Sequence, residues 1–585
     1  MEQSEQTIKR SETRTHIRVT FKDGLVLEGP VGTTTEGFLL SAAEKFTYDS
    51  PLMGAICNGE LRELSYRLYR DATLEPVLLK DSDGARIHRR TLVLLMVTAA
   101  GELWPGCRVS VRYAVPDGGF YCTRLDGDPF TVKELEQLKN RMHQIVEEDA
   151  PISKRTVTLE EAEKLFYSRD EDDKVRLLAQ RSRKELTFYT LHERDDYYYG
   201  YMLPSTGYLA HFRLVWVHDG FILQYPRKET APKLLQIRAY EKLGTVFNQT
   251  DEWLQRMGVE DVGRLNHLIK TENRLHELIL VAEALHEQRI AQIAHEIHQG
   301  HTENDIRLVL IAGPSSSGKT TFSKRLAIQL LAHGLRPLTL GLDNYFVDRD
   351  STPRDSTGDY DFEALEAINL TLFNQQLLEL FGNQKVQMPF YDFHTGKSST
   401  GREVQLHKKQ IIIIEGIHGL NPDLVPDIPG ELIYRIYVSA LTQLNIDSHN
   451  RVPTTDVRLL RRIVRDARTR GYNATDTLSR WTSVRRGERT NIFPYQENAD
   501  SMFNSALVYE LATLRPLAEP LLLQVNPKTP AHIEAKRLLS FLGWVRPLVL
   551  GQMEMIPDTS LLREFIGGSS LDDYQPLGTG DEITE

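Results

Sequence analysis

The chain lacks the features that would place it outside the reducing interior of a cell. It has only three cysteines, Cys57, Cys107 and Cys122, and they lie far apart, so neither a disulfide framework nor a C-x-x-C motif is available. No apolar run approaches the roughly 18 residues of a membrane-spanning helix. The polar start, "MEQSEQTIKRSETRT", has no apolar segment of the kind found in secretory signals. We therefore expect a soluble cytoplasmic protein.

An excess of positive charge is also missing. Lysine and arginine total 70 against 81 acidic residues, which gives a formal net charge of −11. A protein that coats nucleic acid needs the opposite balance, because it must neutralise phosphates. RNA contact by the N-terminal region is therefore expected only through a local patch. The composition indicates neither a membrane partner nor an oligomeric state.

At 585 residues the chain is too long for one hydrophobic core. Changes in its pattern predict α/β architecture in several domains. The predicted segments are a disordered tail (1–15), a β-grasp domain (16–85), an α+β domain (86–228), a helical connector (229–304), a parallel α/β domain with helices on both faces (305–525), an extension packing on it (526–573) and a disordered acidic tail (574–585).

Turn signals and periodicity predict the elements of the first half. Asp23-Gly24 and Asn58-Gly59 mark two hairpins, and "RTLVLLMVTAAGELWPG" predicts a helix ended by Pro105-Gly106. In the connector, "RLHELILVAEALHEQRIAQIAHEIHQG" predicts one long helix ended by Gly300. Its four histidines suggest a metal site, but "HEIHQ" does not fit H-E-x-x-H, so a solvated helix face is the preferred interpretation.

The stretch "LIAGPSSSGKTTF" fits the phosphate-loop pattern G-x-x-x-x-G-K-[ST]. A strand-like run precedes it and an amphipathic helix follows it, so loop N–H groups and the positive helix end would both face an anion. Lys319 would reach the β- and γ-phosphates and Thr320 would bind Mg²⁺. The predicted nucleotide-binding residues are Gly313, Pro314, Ser315, Ser316, Ser317, Gly318, Lys319, Thr320 and Thr321.

Two acids follow other predicted strands of the same domain. The strand predicted in "RPLTLGLDNYF" ends at Asp343, and the strand predicted in "KKQIIIIEG" ends at Glu415. Ligands of open α/β sheets bind beyond the carboxyl ends of the strands, so both acids should flank the loop. Phosphoryl transfer needs one group that deprotonates the acceptor hydroxyl and one that holds Mg²⁺. Asp343 suits the first role and Glu415 the second, although strand-end acids also cap loops.

The segment "TTDVRLLRRIVRDARTRG" predicts a basic helix, capped by Thr454, Thr455 or Asp456 and ended by Gly471. Arginines three and four positions apart share a face. Guanidinium groups suit two-point contacts with phosphate, so the helix is interpreted as a lid over a nucleotide rather than a solvated face. Its arginines are Arg458, Arg461, Arg462, Arg465, Arg468 and Arg470.

"GPSSSGKTT", "LDNYF", "MPFYDF", "IIIIEGIHGL" and the basic helix occur in the order of one known family. Residues 305–525 resemble the uridine kinase and phosphoribulokinase group of P-loop kinases. The resemblance implies ATP, or GTP, as the donor, with Mg²⁺ held by Thr320 and Glu415. It implies a catalytic base, a catalytic lysine and catalytic arginines, further arginines that bind nucleotide, and residues that contact the acceptor. The implied base is Asp343, the lysine is Lys319, and the catalytic arginines are Arg465 and Arg468. The implied nucleotide-binding arginines are Arg462 and Arg470. The implied acceptor contacts are Tyr345, Tyr391, Asp392 and His394.

The first 230 residues resemble the N-terminal part of threonyl-tRNA synthetase, a TGS domain followed by an editing-type domain. The editing site of that family uses an H-x-x-x-H pair with a later Cys and His. The stretch "RRTLVLLMVTAAGELWPG" has no histidine, and Cys122 in "FYCTRLD" has none nearby. The resemblance therefore implies a region that binds or regulates. With "REFIGGSS" near the end, the whole chain resembles bacterial uridine kinase-like proteins with a TGS domain.

The sequence leaves three functions open. The first is a Mg-ATP-dependent nucleoside kinase acting on the 5′-hydroxyl of uridine or cytidine, as in pyrimidine salvage. The second is a kinase of a phosphosugar or another small alcohol, for which Lys397 and Arg402 are the nearby basic residues. The third is an RNA- or ribosome-associated regulator switched by a nucleoside triphosphate.

Overall fold

The structure is a computed structural model that describes residues 14–45, 47–181, 183–354, 358, 360–392, 395–407, 410–442 and 444–574. His394, residues 1–13 and residues 575–585 lie outside these ranges, and with them most of the two predicted tails. Within these ranges, no helix is both long enough and apolar enough to cross a membrane.

The first unit is a five-stranded mixed sheet with one helix. Asn58 and Gly59 both have positive φ, 50° and 81°, as the predicted two-residue hairpin requires. The sheet order is β2-β1-β5-β3-β4, and β1 pairs with β5 in parallel. Its elements are β1 (His16–Phe21), β2 (Val26–Pro30), α1 (Thr35–Ala43), β3 (Leu52–Cys57), β4 (Glu60–Arg62) and β5 (Ala72–Leu78).

The second unit contains two antiparallel sheets. The elements are α2 (Ser82–Leu103), β6 (Val109–Val115), β7 (Gly119–Arg124), α3 (Val132–Glu147), β8 (Ile152–Thr158), α4 (Leu159–Tyr167), α5 (Asp172–Leu178), β9 (Glu185–Leu191), β10 (Arg194–Tyr197), β11 (Arg213–Val217) and β12 (Gly220–Gln224). One sheet has the order β11-β12-β7-β6 and packs in the same core as the first unit, whereas β10-β9-β8 packs with the connector.

Helix α2 differs from its prediction, since it begins at Ser82 and crosses the predicted domain border at residue 85. It therefore also contains His88, which is buried and whose pKa burial lowers to about 3. Cys122 is buried as well, and burial raises the pKa of its thiol. A buried neutral thiol is a poor nucleophile.

The connector is made of α6 (Glu241–Met257), α7 (Val262–Ile269) and α8 (Glu272–Asn304). The prediction that α8 ends at Gly300 is wrong, because Gly300 lies within the helix where Ile306 packs closely against it. The helix ends at Asn304, and the left-handed Asp305 follows. The predicted solvated histidine face is also wrong for His286, which is buried, with its pKa lowered to about 3 by burial.

The kinase-like unit has a parallel five-stranded sheet in the order β14-β17-β13-β18-β19. Its elements are β13 (Leu308–Ala312), α9 (Lys319–Ala332), β14 (Arg336–Gly341), α10 (Leu370–Phe381), β15 (Lys385–Asp392), β16 (Lys397–Gln405), β17 (Gln410–Glu415), β18 (Ile433–Ser439), α11 (Thr454–Thr469), α12 (Ala474–Asn491), β19 (Ser501–Asn504) and α13 (Glu510–Leu523). Strands β15 and β16 form a separate antiparallel hairpin.

Both faces of this sheet are buried, as its apolar strands predict. Val309 and Ile311 of β13 belong to the core that contains α8 and α9, and Leu308 and Leu310 belong to the core that contains α10. This alternation follows the two-residue period of a strand. Helices therefore cover both faces, and the carboxyl ends of the strands form one open edge.

The C-terminal part adds α14 (Ala531–Leu542), α15 (Leu550–Met553) and α16 (Arg563–Ile566). Leu561, Leu562 and Phe565 are buried in the same core as Phe322 of α9. Arg537 donates to both carboxylate oxygens of Asp456 at the start of α11, at 2.6 and 2.9 Å. This segment therefore lies directly against the helices that surround the phosphate loop.

Candidate active site

The predicted phosphate loop is a tight turn between β13 and α9. Ser316 and Gly318 have positive φ, 58° and 86°. A Cβ atom on Gly313 would lie 1.9 Å from the carbonyl oxygen of Val438, and one on Gly318 would lie 2.3 Å from Leu561. Glycine is therefore required at both ends of the turn, in agreement with the sequence pattern.

The interior of the turn carries polar groups suited to an anion. The hydroxyl oxygens of Ser316 and Ser317 are buried and have no hydrogen-bond partner among the described residues. Lys319 donates from Nζ to the carbonyl oxygens of Gly313 and Pro314, at 2.9 and 3.3 Å. Burial lowers the pKa of this ammonium, while Glu415 opposes the shift. The lysine is thus folded back onto the loop whose ligand it is predicted to bind.

The two predicted acids come together beside the loop. Glu415 is the last residue of β17 and pairs with Gly341 on the neighbouring strand β14. The strand ends there rather than at Asp343, which lies in the following 3-10 turn. Burial raises the pKa of both carboxyl groups, and the positive charge of Lys319 opposes the shift in each. Two acids and one lysine therefore share one small volume.

Thr320 and Glu415 provide the oxygen ligands expected for Mg²⁺. Thr320 donates from Oγ1 to Glu415 Oε1 at 2.9 Å, and Glu415 Oε2 is buried with no hydrogen-bond partner in the described part of the chain. Mg²⁺ in phosphate sites takes one or two carboxylates together with water and phosphate oxygens. No cluster of three or more His, Cys, Asp or Glu ligands occurs among the described residues, and this mode of binding does not need one.

Two arginines of α11 are structural. Arg458 pairs with Glu488, and Arg461 pairs with Glu510, all fully buried. Arg458 also donates to the carbonyl oxygen of Ser315 at 3.0 Å, and Glu488 accepts from the Ser315 N–H at 2.9 Å. These ion pairs fix the shape of the phosphate loop. They leave neither arginine on a solvated or lid-like face.

Three other arginines of α11 share one counter-ion. Arg462, Arg465 and Arg470 all lie within ion-pair distance of Asp466. Arg462 donates from Nη1 to the Ser315 hydroxyl at 2.7 Å. Burial and Arg465 lower the pKa of Arg470, whereas the negative charges of Asp466 and Asp343 raise it. One carboxylate thus serves three cations next to the loop, which leaves an excess of positive charge.

The predicted caps of α11 do not form as expected. The helix begins at Thr454 after Pro453, with no side-chain capping bond, so Thr455 and Asp456 do not act as caps either. Gly471 has the predicted left-handed conformation, with φ of 68°.

Arg468 contacts a different partner, the C-terminal segment. It donates to the carbonyl oxygens of Glu564 and Phe565, at 2.9 and 3.3 Å. The Glu564 carboxylate in turn accepts from the N–H and the hydroxyl of Thr321, at 3.2 and 2.9 Å. Thr321 lies in the first turn of α9, where N–H groups have no partner within the helix. A carboxylate therefore occupies donors predicted to bind a nucleotide phosphate.

Of the predicted acceptor residues that the structure describes, it brings only Tyr345 to the same cavity as Glu415. Tyr345 is buried and donates to Gln376 Oε1 at 2.9 Å, and Tyr391 is buried against Phe346. Asp392 accepts from the Thr395 hydroxyl at 3.0 Å. The cavity has a volume of about 660 Å³, and neither Tyr391 nor Asp392 lines it. Its lining includes Thr320, Glu415, Tyr345, Phe390 and Arg402.

One site residue was missed by the sequence reasoning. Burial and the negative charge of Glu488 raise the pKa of Glu363 to about 7, while Arg462 and Lys319 lower it. The side chain of Glu363 also packs so closely against Gly487 that a Cβ atom at residue 487 would clash with it. Nothing in "DYDFEALEAINL" marks this glutamate, because its neighbours come from distant helices.

Comparison with known proteins separates the chain into two parts. Residues 308–511 match the model of the "Phosphoribulokinase / Uridine kinase family". The N-terminal region is similar to threonine–tRNA ligases, 31% identical over 255 residues in Desulforamulus reducens and 33% over 255 residues in Symbiobacterium thermophilum. Each alignment covers 43% of this chain, but only 38% and 37% of the ligases. The chain thus spans well under half the length of these relatives.

Solved structures with similarity to the chain are kinases by their titles. D-glycerate 3-kinase from Cryptococcus neoformans is 16% identical, with a TM-score of 0.21, and the match covers 43% of this chain and 87% of that one. A possible uridine kinase from Bacillus stearothermophilus is 20% identical, with a TM-score of 0.24, covering 34% and 88%.

The family match coincides with the phosphate loop, Asp343, Glu415 and the basic helix. The C-terminal half of the chain therefore contains a P-loop kinase domain of the phosphoribulokinase and uridine kinase family, preceded by a region similar to threonine–tRNA ligases.

Proposed function

We propose that the protein is a Mg-ATP-dependent kinase that phosphorylates the 5′-hydroxyl of a nucleoside, with uridine and cytidine as the acceptors. The observation that carries this proposal is the hydrogen bond from the Thr320 hydroxyl to the Glu415 carboxylate, beside Lys319 and Asp343. Two candidate Mg²⁺ ligands, a lysine suited to phosphate and a buried acid thus lie together at one end of a parallel sheet.

The donor triphosphate would bind through the loop N–H groups and the start of α9, where the helix dipole favours negative charge. Lys319 would exchange its bonds to the loop carbonyls for phosphate oxygens. Arg462, Arg465 and Arg470 would supply the remaining positive charge. Thr320 and Glu415 would hold Mg²⁺, which when bound neutralises charge on the phosphate oxygens.

Asp343 would accept the proton of the acceptor hydroxyl while the oxygen of that hydroxyl forms a bond to the γ-phosphorus. The bond to the leaving oxygen of ADP breaks in the same displacement. A raised pKa suits a general base, because it brings the affinity of the carboxylate for a proton closer to the working pH. Arg470 and Lys319, which lower the pKa of Asp343, keep enough of the carboxylate ionised for this role.

The test is an assay of the full chain with ATP, Mg²⁺ and a panel of nucleosides. We expect equal amounts of ADP and a nucleoside 5′-monophosphate, with uridine or cytidine giving the highest kcat/KM. Tight ATP binding with no product from any nucleoside would contradict the acceptor assignment. Absence of ATP binding would contradict the donor site as well.

A phosphosugar acceptor is the second candidate, and one observation favours it. Arg402 is exposed and lines the cavity next to Glu415, where it could pair with a phosphate on the acceptor. Lys397, the other basic candidate, does not line this cavity. If the acceptor is a phosphosugar, Arg402→Gln should raise its KM at least about tenfold and leave the KM for ATP unchanged.

A further inference from the structure

A second cationic cavity, separate from the phosphate loop, lies between the N-terminal region and the kinase domain. It has a volume of about 240 Å³. Its walls come from the start of α2, the chain after β12, the residues before α11 and helix α12. Among its described lining residues, seven are arginine or lysine and one, Glu229, is acidic. Two regions of different ancestry thus contribute charge of one sign to a shared space.

Three of these seven cations have carboxylate partners. Arg86 pairs with Asp83 and Glu534, Arg227 with Glu229, and Arg458 with Glu488. Their charge is therefore balanced within the protein.

The other four cations are Arg89, Lys228, Arg451 and Arg485, and in the described ranges none lies within ion-pair distance of a carboxylate. Arg89 donates to the Ala85 carbonyl at 3.0 Å and lies over the Tyr225 ring. Lys228 donates to the Ser82 hydroxyl at 2.9 Å. Arg89 and Lys228 thus contact neutral groups, and no ion pair balances any of the four cations in the described ranges.

Mutual repulsion and burial both act on this group. Burial and the charges of Arg86, Arg458 and Arg89 together lower the pKa of Arg485 to about 10, although the negative charge of Glu488 opposes the shift. Burial and Arg89 lower the pKa of Arg451, and burial and Arg485 lower that of Lys228, while the negative charges of Asp456 and Glu229 respectively oppose these shifts. Buried cations that outnumber the carboxylates near them destabilise the protein, and an anion bound among them would reverse that effect.

Helix α11 adds a second source of positive potential. Thr454 and Thr455, its first residues, line the cavity. No side chain caps this end of the helix, and the first N–H groups of an α-helix have no acceptor within it. The positive end of the helix dipole therefore points toward the four unpaired cations.

We propose that this cavity is a binding site for a phosphate-bearing small molecule, distinct from the nucleotide site. Guanidinium groups bind phosphate through two parallel hydrogen bonds, and the cavity offers three unpaired arginines and a lysine. Leu243, Phe247 and Phe493 provide an apolar wall for an organic group. Arg458 also lines the cavity and donates to the carbonyl oxygen of Ser315, so the ligand would sit one side chain from the phosphate loop.

Calorimetric titration of the full chain with inorganic triphosphate, ADP and a nucleoside monophosphate tests this proposal. For the wild-type chain we expect two binding sites for at least one probe. The double variant Arg451→Gln/Arg485→Gln should lose one site, with affinity there falling about tenfold or more, and should keep the phosphate-loop site. Lys319→Ala should show the opposite pattern.

The control is Arg480→Gln, which makes the same type of substitution once, at an exposed position of α12. It should keep both sites, and a single cooperative thermal unfolding transition in each variant would show that the variants are folded. Binding of inorganic triphosphate alone would assign the site to free polyphosphate, and binding of the nucleotides would assign it to a phosphate ester. A single site in the wild-type chain, or two sites retained in the double variant, would overturn the proposal. Neither result would bear on the kinase function, because the phosphate-loop site is scored separately.

Discussion

Glu564 is predicted to compete with the nucleotide for the start of α9. Its carboxylate accepts two hydrogen bonds from Thr321, at 2.9 and 3.2 Å, and Arg468 holds the backbone of the same segment. Phosphate loops direct the N–H groups of this helical turn at a phosphate. A bound triphosphate must therefore displace the carboxylate or sit beside a like charge.

The perturbation is Glu564→Gln, which keeps the shape of the side chain and removes its charge. Hydrogen bonds to a charged group contribute about 1.5–3 kcal/mol, against about 0.5–1.5 kcal/mol for neutral ones. Two such bonds weakened by about 1 kcal/mol each make displacement easier by about 2 kcal/mol. That difference corresponds to nucleotide binding about 30-fold tighter.

The assay is calorimetric titration of the wild-type and Glu564→Gln chains with ADP and with ATP in the presence of Mg²⁺. Glu554→Gln is the matched control, because Glu554 is exposed and lies ten residues away on the same segment. Its affinity should equal that of the wild type. An affinity of Glu564→Gln within twofold of the wild type, or below it, would refute the reasoning.

Three further predictions concern the acids of the site. Asp343→Asn should lower kcat by orders of magnitude and leave the Kd for ATP within about twofold, since base and donor site are separate; equal losses in both would contradict its role. Glu415→Gln should raise the Mg²⁺ concentration for half-maximal activity at least about tenfold, which a Mg²⁺ titration checks; an unchanged titration would exclude Glu415 from the metal site. The folded pKa of Glu363, about 7, lies above its ordinary value of 4.5, so the folded state binds the proton more tightly and stability should fall as pH rises from 4.5 to 7. Urea unfolding at pH 5 and pH 8 gives the difference in the free energy of unfolding between these pH values, and Glu363→Gln should reduce that difference by up to about 3 kcal/mol. An equal difference in the wild-type and variant chains would contradict the prediction.

Sequence alone could predict the features of the site that depend on neighbouring residues. Gly313 and Gly318 mark a turn because only glycine fits there, and the apolar run before the loop predicts a buried strand. Asp343 and Glu415 could be placed together because parallel strands end at one edge of a sheet. The match of residues 308–511 to the phosphoribulokinase and uridine kinase family confirms the resemblance seen in the sequence.

The separate roles of the six arginines in the basic helix could not be predicted from the sequence. Six arginines at helical spacing look equivalent in the sequence, but Arg458 and Arg461 pair with Glu488 and Glu510, which lie 30 and 49 residues further on. Arg468 meets a carbonyl group 96 residues away. Which arginines remain available to a phosphate is decided by tertiary contacts that no local pattern encodes.

The cavity between the two halves was invisible for a similar reason. Arg89, Lys228, Arg451 and Arg485 come from four separate segments, and each looks like an ordinary surface charge where it stands. Only their convergence, together with the absence of an ion pair to any of them in the described ranges, reveals the excess of positive charge. Glycine as a helix stop signal likewise failed at Gly300, because the close packing of Ile306 against it is a contact that the helix sequence up to Gly300 does not show.

A crystal structure of the full chain with Mg²⁺, a non-hydrolysable ATP analogue and uridine would test the central claim most directly. The account predicts the triphosphate within the turn between Gly313 and Gly318, the metal on Thr320 and Glu415, and the acceptor 5′-hydroxyl within hydrogen-bond distance of Asp343. A triphosphate bound elsewhere, or an acceptor hydroxyl out of reach of Asp343 in the closed complex, would contradict it.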